Sequence, residues 1–90
     1  MEISFAKPFS KAFRKKSTLR PEFELLFWNK IAIFIKNPFD PMLKTHKLSG
    51  QLTGFWSFSL EYDCRVVFYF TNDRPPKAVF IDLGTHDEVY

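Results

Sequence analysis

The sequence has little cysteine, glycine and histidine, and each shortage excludes a class of protein. Its single cysteine, Cys64, excludes a disulfide framework and a cysteine-based zinc site, and it fits a reducing compartment such as the cytoplasm. Only three of the 90 residues are glycine, so low-complexity segments and glycine-rich phosphate-binding loops are absent. The two histidines and the one cysteine are not closely spaced and make a poor set of zinc ligands, so we expect no metal and no cofactor.

Long apolar runs are also absent. The best run, residues 25–35, is interrupted by Asn29 and Lys30 and falls short of the roughly 18 apolar residues of a membrane helix. The first residues include Glu2 and Lys7 with no apolar stretch, so we expect no secretory signal. A chain of this length is expected to form one domain, residues 1–90.

Aromatic residues and a basic N-terminal end are what the chain does have. Hydrophobic residues make up 46% of it and 12 residues are phenylalanine, which predicts a dense core. The net charge is only +3, but residues 1–20 contain six basic residues against the single acidic Glu2. A basic end suits phosphate backbones or an acidic partner. It equally suits a solvated helix face, so charge alone leaves the function open.

Hydrophobic spacing predicts two helices after a short strand. Residues 2–7 alternate as a strand does, and residues 9–16 then follow helical spacing with basic residues turned outward. Ser17 or Thr18 is predicted to cap a second helix over residues 21–36, which ends before Pro38. Leu25, Trp28 and Ala32 broaden its apolar face, so we expect this helix to be largely covered.

Three more strands are predicted in the second half of the chain. Residues 55–61 alternate, residues 66–70 form a continuous apolar run, and residues 77–83 follow a proline-bearing loop. Tyr62 and Asp63 can turn the chain, and residues 38–54 form a long connection. The order β-α-α-β-β-β predicts an α+β domain of two layers, with two N-terminal helices packed on a mainly antiparallel four-stranded sheet.

Few residues offer chemistry. His46 lies in the long connection and His86 directly follows the last strand, and histidine can move protons near neutral pH. Both also fit ordinary surface histidines. Arg65 begins the central strand, where its guanidinium can hold a phosphate or form an ion pair with Asp63 or Glu61.

Four segments together resemble the RelE/ParE toxin superfamily, and most closely its YafQ-like mRNA interferase branch. They are residues 46–50 (HKLSG), 54–56 (GFW), 62–69 (YDCRVVFY) and 83–86 (LGTH), followed by a terminal aromatic residue. The resemblance implies the toxin of a type II toxin–antitoxin pair, a cytoplasmic, ribosome-dependent endoribonuclease that needs no metal. In this chemistry the RNA 2′-hydroxyl attacks the adjacent phosphate.

The resemblance also implies a role for individual residues. His46 matches the base and His86 the acid, while Asp63 matches an aspartate that orients a histidine or contacts RNA. Arg65 matches a phosphate-holding arginine, and Tyr90 matches a terminal aromatic that holds the nucleotide. The basic residues are then expected to bind ribosomal RNA or an acidic segment of the antitoxin. They are Lys11, Arg14, Lys15, Lys16, Lys44 and Lys47.

Two departures from the family pattern keep other functions open. Ser59 stands where some close relatives have a second histidine, and Asp82 stands where they have an arginine just before the glycine. Arg65 is the candidate to replace that lost positive charge. The alternatives are a toxin of the same fold that binds a protein target such as DNA gyrase, and a degenerate binding module.

Overall fold

The computed structural model describes residues 1–90, which form three helices and five strands. In chain order these are β1 (Glu2–Phe5), α1 (Lys7–Leu19), α2 (Glu22–Lys36), β2 (His46–Lys47), β3 (Trp56–Glu61), β4 (Cys64–Phe70), β5 (Lys77–Gly84) and α3 (His86–Val89). Two short 3₁₀ turns, Pro41–Leu43 and Gly50–Leu52, flank β2. No helix combines the length and the apolar character needed to cross a bilayer.

The strands form one sheet in the order β1-β5-β4-β3-β2. The β1 strand runs parallel to β5, and every other neighbouring pair is antiparallel. The predicted α+β class and the mainly antiparallel sheet are confirmed. The predicted count of four strands is wrong, because the long connection contributes β2, whose two residues pair with Trp56 and Ser57. Two residues are too few for an alternating pattern, so only the pairing with β3 reveals this strand.

The boundary between the first two helices differs from the prediction. The α1 helix continues through Ser17 and Thr18, so neither residue caps α2. The Thr18 hydroxyl donates to the carbonyl of Arg14, 2.8 Å away and one turn earlier, which lets threonine lie inside a helix. The α2 helix spans Glu22–Lys36, within one residue of its predicted start.

Only one side of α2 is covered. Phe23, Phe27 and Phe34 are fully buried, as their spacing predicts. Leu25 and Trp28, however, are 68% and 49% exposed, so the prediction of a largely covered helix is wrong. The helices lie as a single layer on the sheet, and nothing packs on the outer side of α2.

The core lies between this helical layer and one face of the sheet. Alternation along β3 turns Phe58 and Leu60 into the core and turns Ser57 and Ser59 to the opposite face. Seven phenylalanines are almost completely buried: Phe9, Phe23, Phe27, Phe34, Phe58, Phe68 and Phe80. Phe23 contacts the ring of Phe13, and the other six contact one another edge to face or tilted. The helices therefore occupy one face of the sheet and leave the other face for a site.

Candidate functional site

Strand register carries the polar residues to the second face of the sheet. His46 pairs with Ser57, Ser57 with Val67, and Val67 with Asp82, so one row crosses four strands. Directly opposed residues point to the same face of a sheet. Three strand spacings separate His46 from Asp82, or about 14 Å of backbone. The row therefore holds a histidine at its outer edge and a carboxylate at the β5 end.

Arg65 lies in the next row, between β3 and the end of β5. It pairs with Ser59 on one side and with Gly84 on the other. His86 begins α3 two residues after Gly84. Arg65 on β4 is thus one strand from β5, which leads to His86, and two strands from β2, which carries His46.

The α3 helix fixes the last candidate residues. No helix is predicted after the last strand, but the structure folds His86–Val89 into a capped helical turn. The backbone N–H of Thr85 donates to Glu88 Oε1 at 2.7 Å, and the N–H of Glu88 donates to Thr85 Oγ1 at 3.3 Å. This reciprocal capping box satisfies donors at the helix start and stops α3 from fraying.

Tyr90 joins His86 and Arg65 into one cluster. The ring centroids of His86 and Tyr90 are 4.6 Å apart at an interplanar angle of 86°. The guanidinium carbon of Arg65 lies 5.9 Å from the centroid of the Tyr90 ring. Three of the five predicted catalytic side chains therefore meet at the end of β5, and we call this group the Arg65–His86–Tyr90 cluster.

The guanidinium of Arg65 forms no ion pair or side-chain hydrogen bond. Glu61, one of its expected partners, instead accepts a hydrogen bond from Arg20 Nη1 at 2.6 Å. That hydrogen bond is the main reason why the pKa of Arg20 is raised. Because Glu61 is already paired, Arg65 keeps an uncompensated positive charge on the cluster.

His46 is held in one orientation by its own loop. Its Nδ1 lies 3.0 Å from the carbonyl oxygen of Lys44. In the neutral imidazole, a proton on Nδ1 donates to that carbonyl, which leaves the lone pair of Nε2 available as an acceptor. His46 lies on β2, two strands from the β4 strand of Arg65, so it faces the cluster across the sheet without touching it.

Asp63, like His46, is a predicted catalytic residue that the structure does not bring to the cluster. It lies in the exposed turn between β3 and β4 and forms no hydrogen bond or ion pair with either histidine. Its role in orienting a histidine therefore stays a prediction.

The six predicted RNA-binding residues fall into two groups, four on α1 and two at or beside β2, which is an edge strand of the sheet. The α1 helix packs along β5, where Lys15 and Lys16 line a cleft beside Glu88 and Asp82. Lys11 and Arg14 are exposed on the same helix. At the β2 edge, Lys47 Nζ lies 5.5 Å from the Trp56 ring centroid. Lys15 and Lys16 therefore place positive charge near the β5 end of the polar row, and Lys44 and Lys47 place it near the β2 end.

No group of three or more histidine, cysteine, aspartate or glutamate side chains is close enough to hold a metal ion.

Solved structures share this fold over the whole chain, although no protein-family model and no curated protein matches it. YafQ from E. coli strain BL21(DE3) superposes with a TM-score of 0.79 at 21% identity, covering 99% of this chain and 97% of YafQ. A YoeB/ParE toxin from Agrobacterium tumefaciens has a TM-score of 0.79 at 16% identity, covering 96% and 99%. A copper-bound mutant toxin from Helicobacter pylori has a TM-score of 0.78 at 23% identity, covering 100% and 99%. A matched chain from the E. coli DinJ–YafQ toxin–antitoxin complex has a TM-score of 0.70 at 22% identity. That match covers 99% of this chain and 96% of the other.

Proposed function

Because this chain has the RelE/ParE-like toxin fold over its whole length, we propose that it is the toxin of a type II toxin–antitoxin pair. We further propose that it is an endoribonuclease that cleaves mRNA on the ribosome. The observation that carries the nuclease proposal is the Arg65–His86–Tyr90 cluster, in which an unpaired cation, an imidazole and an aromatic ring meet on the polar face of the sheet.

The proposed reaction uses the two histidines on opposite sides of the phosphate. His46 Nε2 takes the proton of the RNA 2′-hydroxyl as a new bond forms between that oxygen and phosphorus. The bond from phosphorus to the 5′-oxygen breaks, and protonated His86 donates its proton to the departing oxygen. The products are a 2′,3′-cyclic phosphate and a 5′-hydroxyl, and no metal takes part.

Arg65 and Tyr90 complete the reaction. The guanidinium of Arg65 stabilises the negative charge that develops on the phosphate oxygens, which is the largest single contribution in many enzymes. The Tyr90 ring offers a flat face for a nucleobase. The centroids of the Tyr90 and His86 rings are 4.6 Å apart, so a nucleobase stacked on Tyr90 would lie close to the proposed general acid.

An antitoxin is the proposed protein partner, supported by the exposed apolar surface of the helical layer. A groove of about 490 Å³ lies between α1 and α2, with phenylalanines in its walls and Arg14 at its rim. Leu25, Trp28 and Ile35 extend this apolar surface along α2. An amphipathic helix with acidic flanks would cover the groove and pair with the basic residues of α1.

The proposal is tested by brief induced expression followed by mapping of mRNA 5′ ends. We expect cuts inside translated codons that disappear in His86→Ala, because general acid–base groups contribute about 10²–10⁴-fold to rate. Asp87→Asn is the matched control, since Asp87 is an exposed neighbour on α3. Cuts that persist at full level in His86→Ala would contradict the assigned role of His86.

Asp82 favours one alternative, a toxin of this fold without nuclease chemistry. Its carboxylate occupies the polar face and is held by the N–H of Leu83 at 2.8 Å, where a cation would serve the phosphate better. In that case growth arrest would occur with intact mRNA, and it would survive the combined His86→Ala and Arg65→Ala change. A gyrase supercoiling assay would then identify or exclude that target.

A further inference from the structure

A second pocket adjoins Arg65, on the side away from His86. It has a volume of about 420 Å³ and opens between α2, the 3₁₀ turn before β2 and the β3–β4 turn. Its lining includes Lys30, Met42, Lys44, Ser59, Tyr62 and Arg65. Arg65 therefore lines this pocket and also belongs to the Arg65–His86–Tyr90 cluster.

The pocket carries uncompensated positive charge. Lys30, Lys44 and Arg65 are its three cations, and none of them forms an ion pair. The one carboxylate in its lining, Glu61, is held by Arg20 at 2.6 Å. Unpaired cations around one cavity attract an anion, and phosphate is the anion that such groups bind in nucleic acids.

The pocket also has an exposed aromatic side chain at its mouth. Tyr62 is 99% exposed, so its ring contributes nothing to the core. Ser59 lies opposite Arg65 in the β3–β4 ladder, and its small side chain leaves the space beside the guanidinium open. A flat exposed ring beside a phosphate-binding cavity is suited to stacking on an unpaired base.

Lys44 connects this pocket to His46. Its backbone has a φ of 53°, in the left-handed region that disfavours residues with a side chain. Its N–H donates to the carbonyl of Pro41 at 3.3 Å, and its own carbonyl lies 3.0 Å from Nδ1 of His46. The same loop conformation therefore orients the proposed base and directs a lysine to the pocket.

We propose that this pocket binds the RNA nucleotide next to the cleaved phosphate, with Lys30 and Lys44 on its phosphate group and Tyr62 stacked on its base. The proposal rests on the nuclease function, because Arg65 must hold the reacting phosphate for the next nucleotide to reach the pocket. It extends the site by two residues, Lys30 and Tyr62, that have no assigned role in cleavage.

The test measures binding of a fluorescein-labelled single-stranded 2′-O-methyl RNA, which has no 2′-hydroxyl to react. Fluorescence anisotropy gives the Kd of the isolated protein between about 50 and 200 mM salt. The variants are Lys30→Gln, Lys44→Asn and Tyr62→Ala. Asparagine tolerates the left-handed conformation of residue 44, so that change removes charge and keeps the loop. Lys36→Gln, on the same helix as Lys30 but outside the pocket, is the matched control.

We expect each lysine variant to lower the slope of log Kd against log salt by about 0.7, because one phosphate contact is lost from a single strand. Tyr62→Ala is expected to weaken binding about tenfold without changing the slope, since stacking involves no counterion, and Tyr62→Phe is expected to restore binding. Lys36→Gln should leave Kd and slope unchanged.

Failure of this proposal is distinguishable from failure of the nuclease proposal. If His86-dependent cleavage occurs but Lys30→Gln and Lys44→Asn bind the probe with the Kd and salt slope of wild type, the pocket assignment is wrong and the nuclease function stands. If mRNA stays intact in cells but the probe binds with the expected pocket-dependent slope, the nuclease proposal is wrong, and the pocket binds RNA without lying next to a cleaved phosphate. Wild-type protein that does not bind the probe even at low salt overturns the pocket assignment.

Discussion

At the scale of single residues, the site depends on which charges are already paired. Arg20 forms an ion pair with Glu61, so Arg65 has no ion-pair partner where it lies beside Tyr90 and lines the second pocket. The pair joins the end of α1 to β3, residues 41 apart in the chain, so it also holds the helical layer to the sheet. The sequence allows Arg65 to form an ion pair with Asp63 or Glu61. In the structure it forms neither pair and supplies the positive charge of the candidate site.

Cys64 is the residue for which the structure predicts a pH dependence of stability. Burial raises the pKa of its thiol from 9.0 to about 11. Below pH 9 the thiol is neutral in both states, whereas above it the unfolded chain ionises first. We therefore expect the free energy of unfolding to fall by about 2 kcal/mol as pH rises from 9 to 11.

Urea unfolding of wild type and of Cys64→Ala across that pH range measures this effect. The variant loses core packing equally at every pH and also loses the ionisable thiol, so its stability should fall less steeply with pH than that of wild type. Equal slopes in the two proteins would show that other alkaline groups cause the loss. In the native protein, the same burial should prevent reaction with an aromatic disulfide reagent at pH 8 until denaturant is added.

At the scale of elements, α3 is short and depends on its cap. Four residues are too few to be stable through helix propensity, so the reciprocal bonds between Thr85 and Glu88 define the turn. The hydrogen bond from the Thr85 N–H is the main reason why the pKa of Glu88 is lowered. The cap thereby fixes the path from Gly84 to Tyr90, on which the Arg65–His86–Tyr90 cluster depends.

We predict that Thr85→Ala frays α3 and lowers mRNA cleavage without unfolding the domain. Loss of an N-cap side chain costs about 1 kcal/mol, and here the loss should remain local. Hydrogen exchange at the Glu88 amide should accelerate while the global Tm changes little. Thr85→Ser keeps the acceptor oxygen and should behave like wild type; a Thr85→Ser protein as impaired as Thr85→Ala would contradict the capping explanation.

At the scale of the whole molecule, the phenylalanine core lies between the helical layer and one face of the sheet, and the candidate site lies on the other face. Phe27 has no exposed surface and contacts the rings of Phe5, Phe9, Phe13 and Trp28. These contacts hold α1, α2 and β1 together on one side of the sheet. On the opposite face Ser57 and Val67 are buried, whereas Arg65 and Asp82 are partly exposed and His86 is exposed, so these three side chains are accessible for binding and chemistry.

Phe27→Ala is predicted to destabilise the protein by about 3–5 kcal/mol, because it leaves a cavity among these rings. Leu25→Ala is the matched control on the same helix. Leu25 is 68% exposed, so its truncation should change the free energy of unfolding by less than about 0.5 kcal/mol. Chemical denaturation of both variants checks the prediction, and equal losses would show that the buried face of α2 is misassigned.

Periodicity in the sequence revealed every helix and strand except β2 and α3. The apolar spacing of α2 and the run of β4 predicted those elements closely, since each extends over several turns or pairs. Ser17 and Thr18 look like caps but lie inside α1, because a hydroxyl can bond one turn back. The strand β2 and the helix α3 are too short to leave a pattern, and tertiary contacts define them.

By itself, the sequence determined the α+β class, the buried phenylalanine faces and the chemical identity of the candidate residues, since burial and side-chain chemistry are local properties of the residue types. Only the tertiary structure decided that Arg65, His86 and Tyr90 meet. It also decided that Glu61 forms its ion pair with Arg20, and that Lys30 and Tyr62 line the same pocket as Lys44. Those contacts join residues far apart in the chain. They follow from strand order and register, which no single segment encodes.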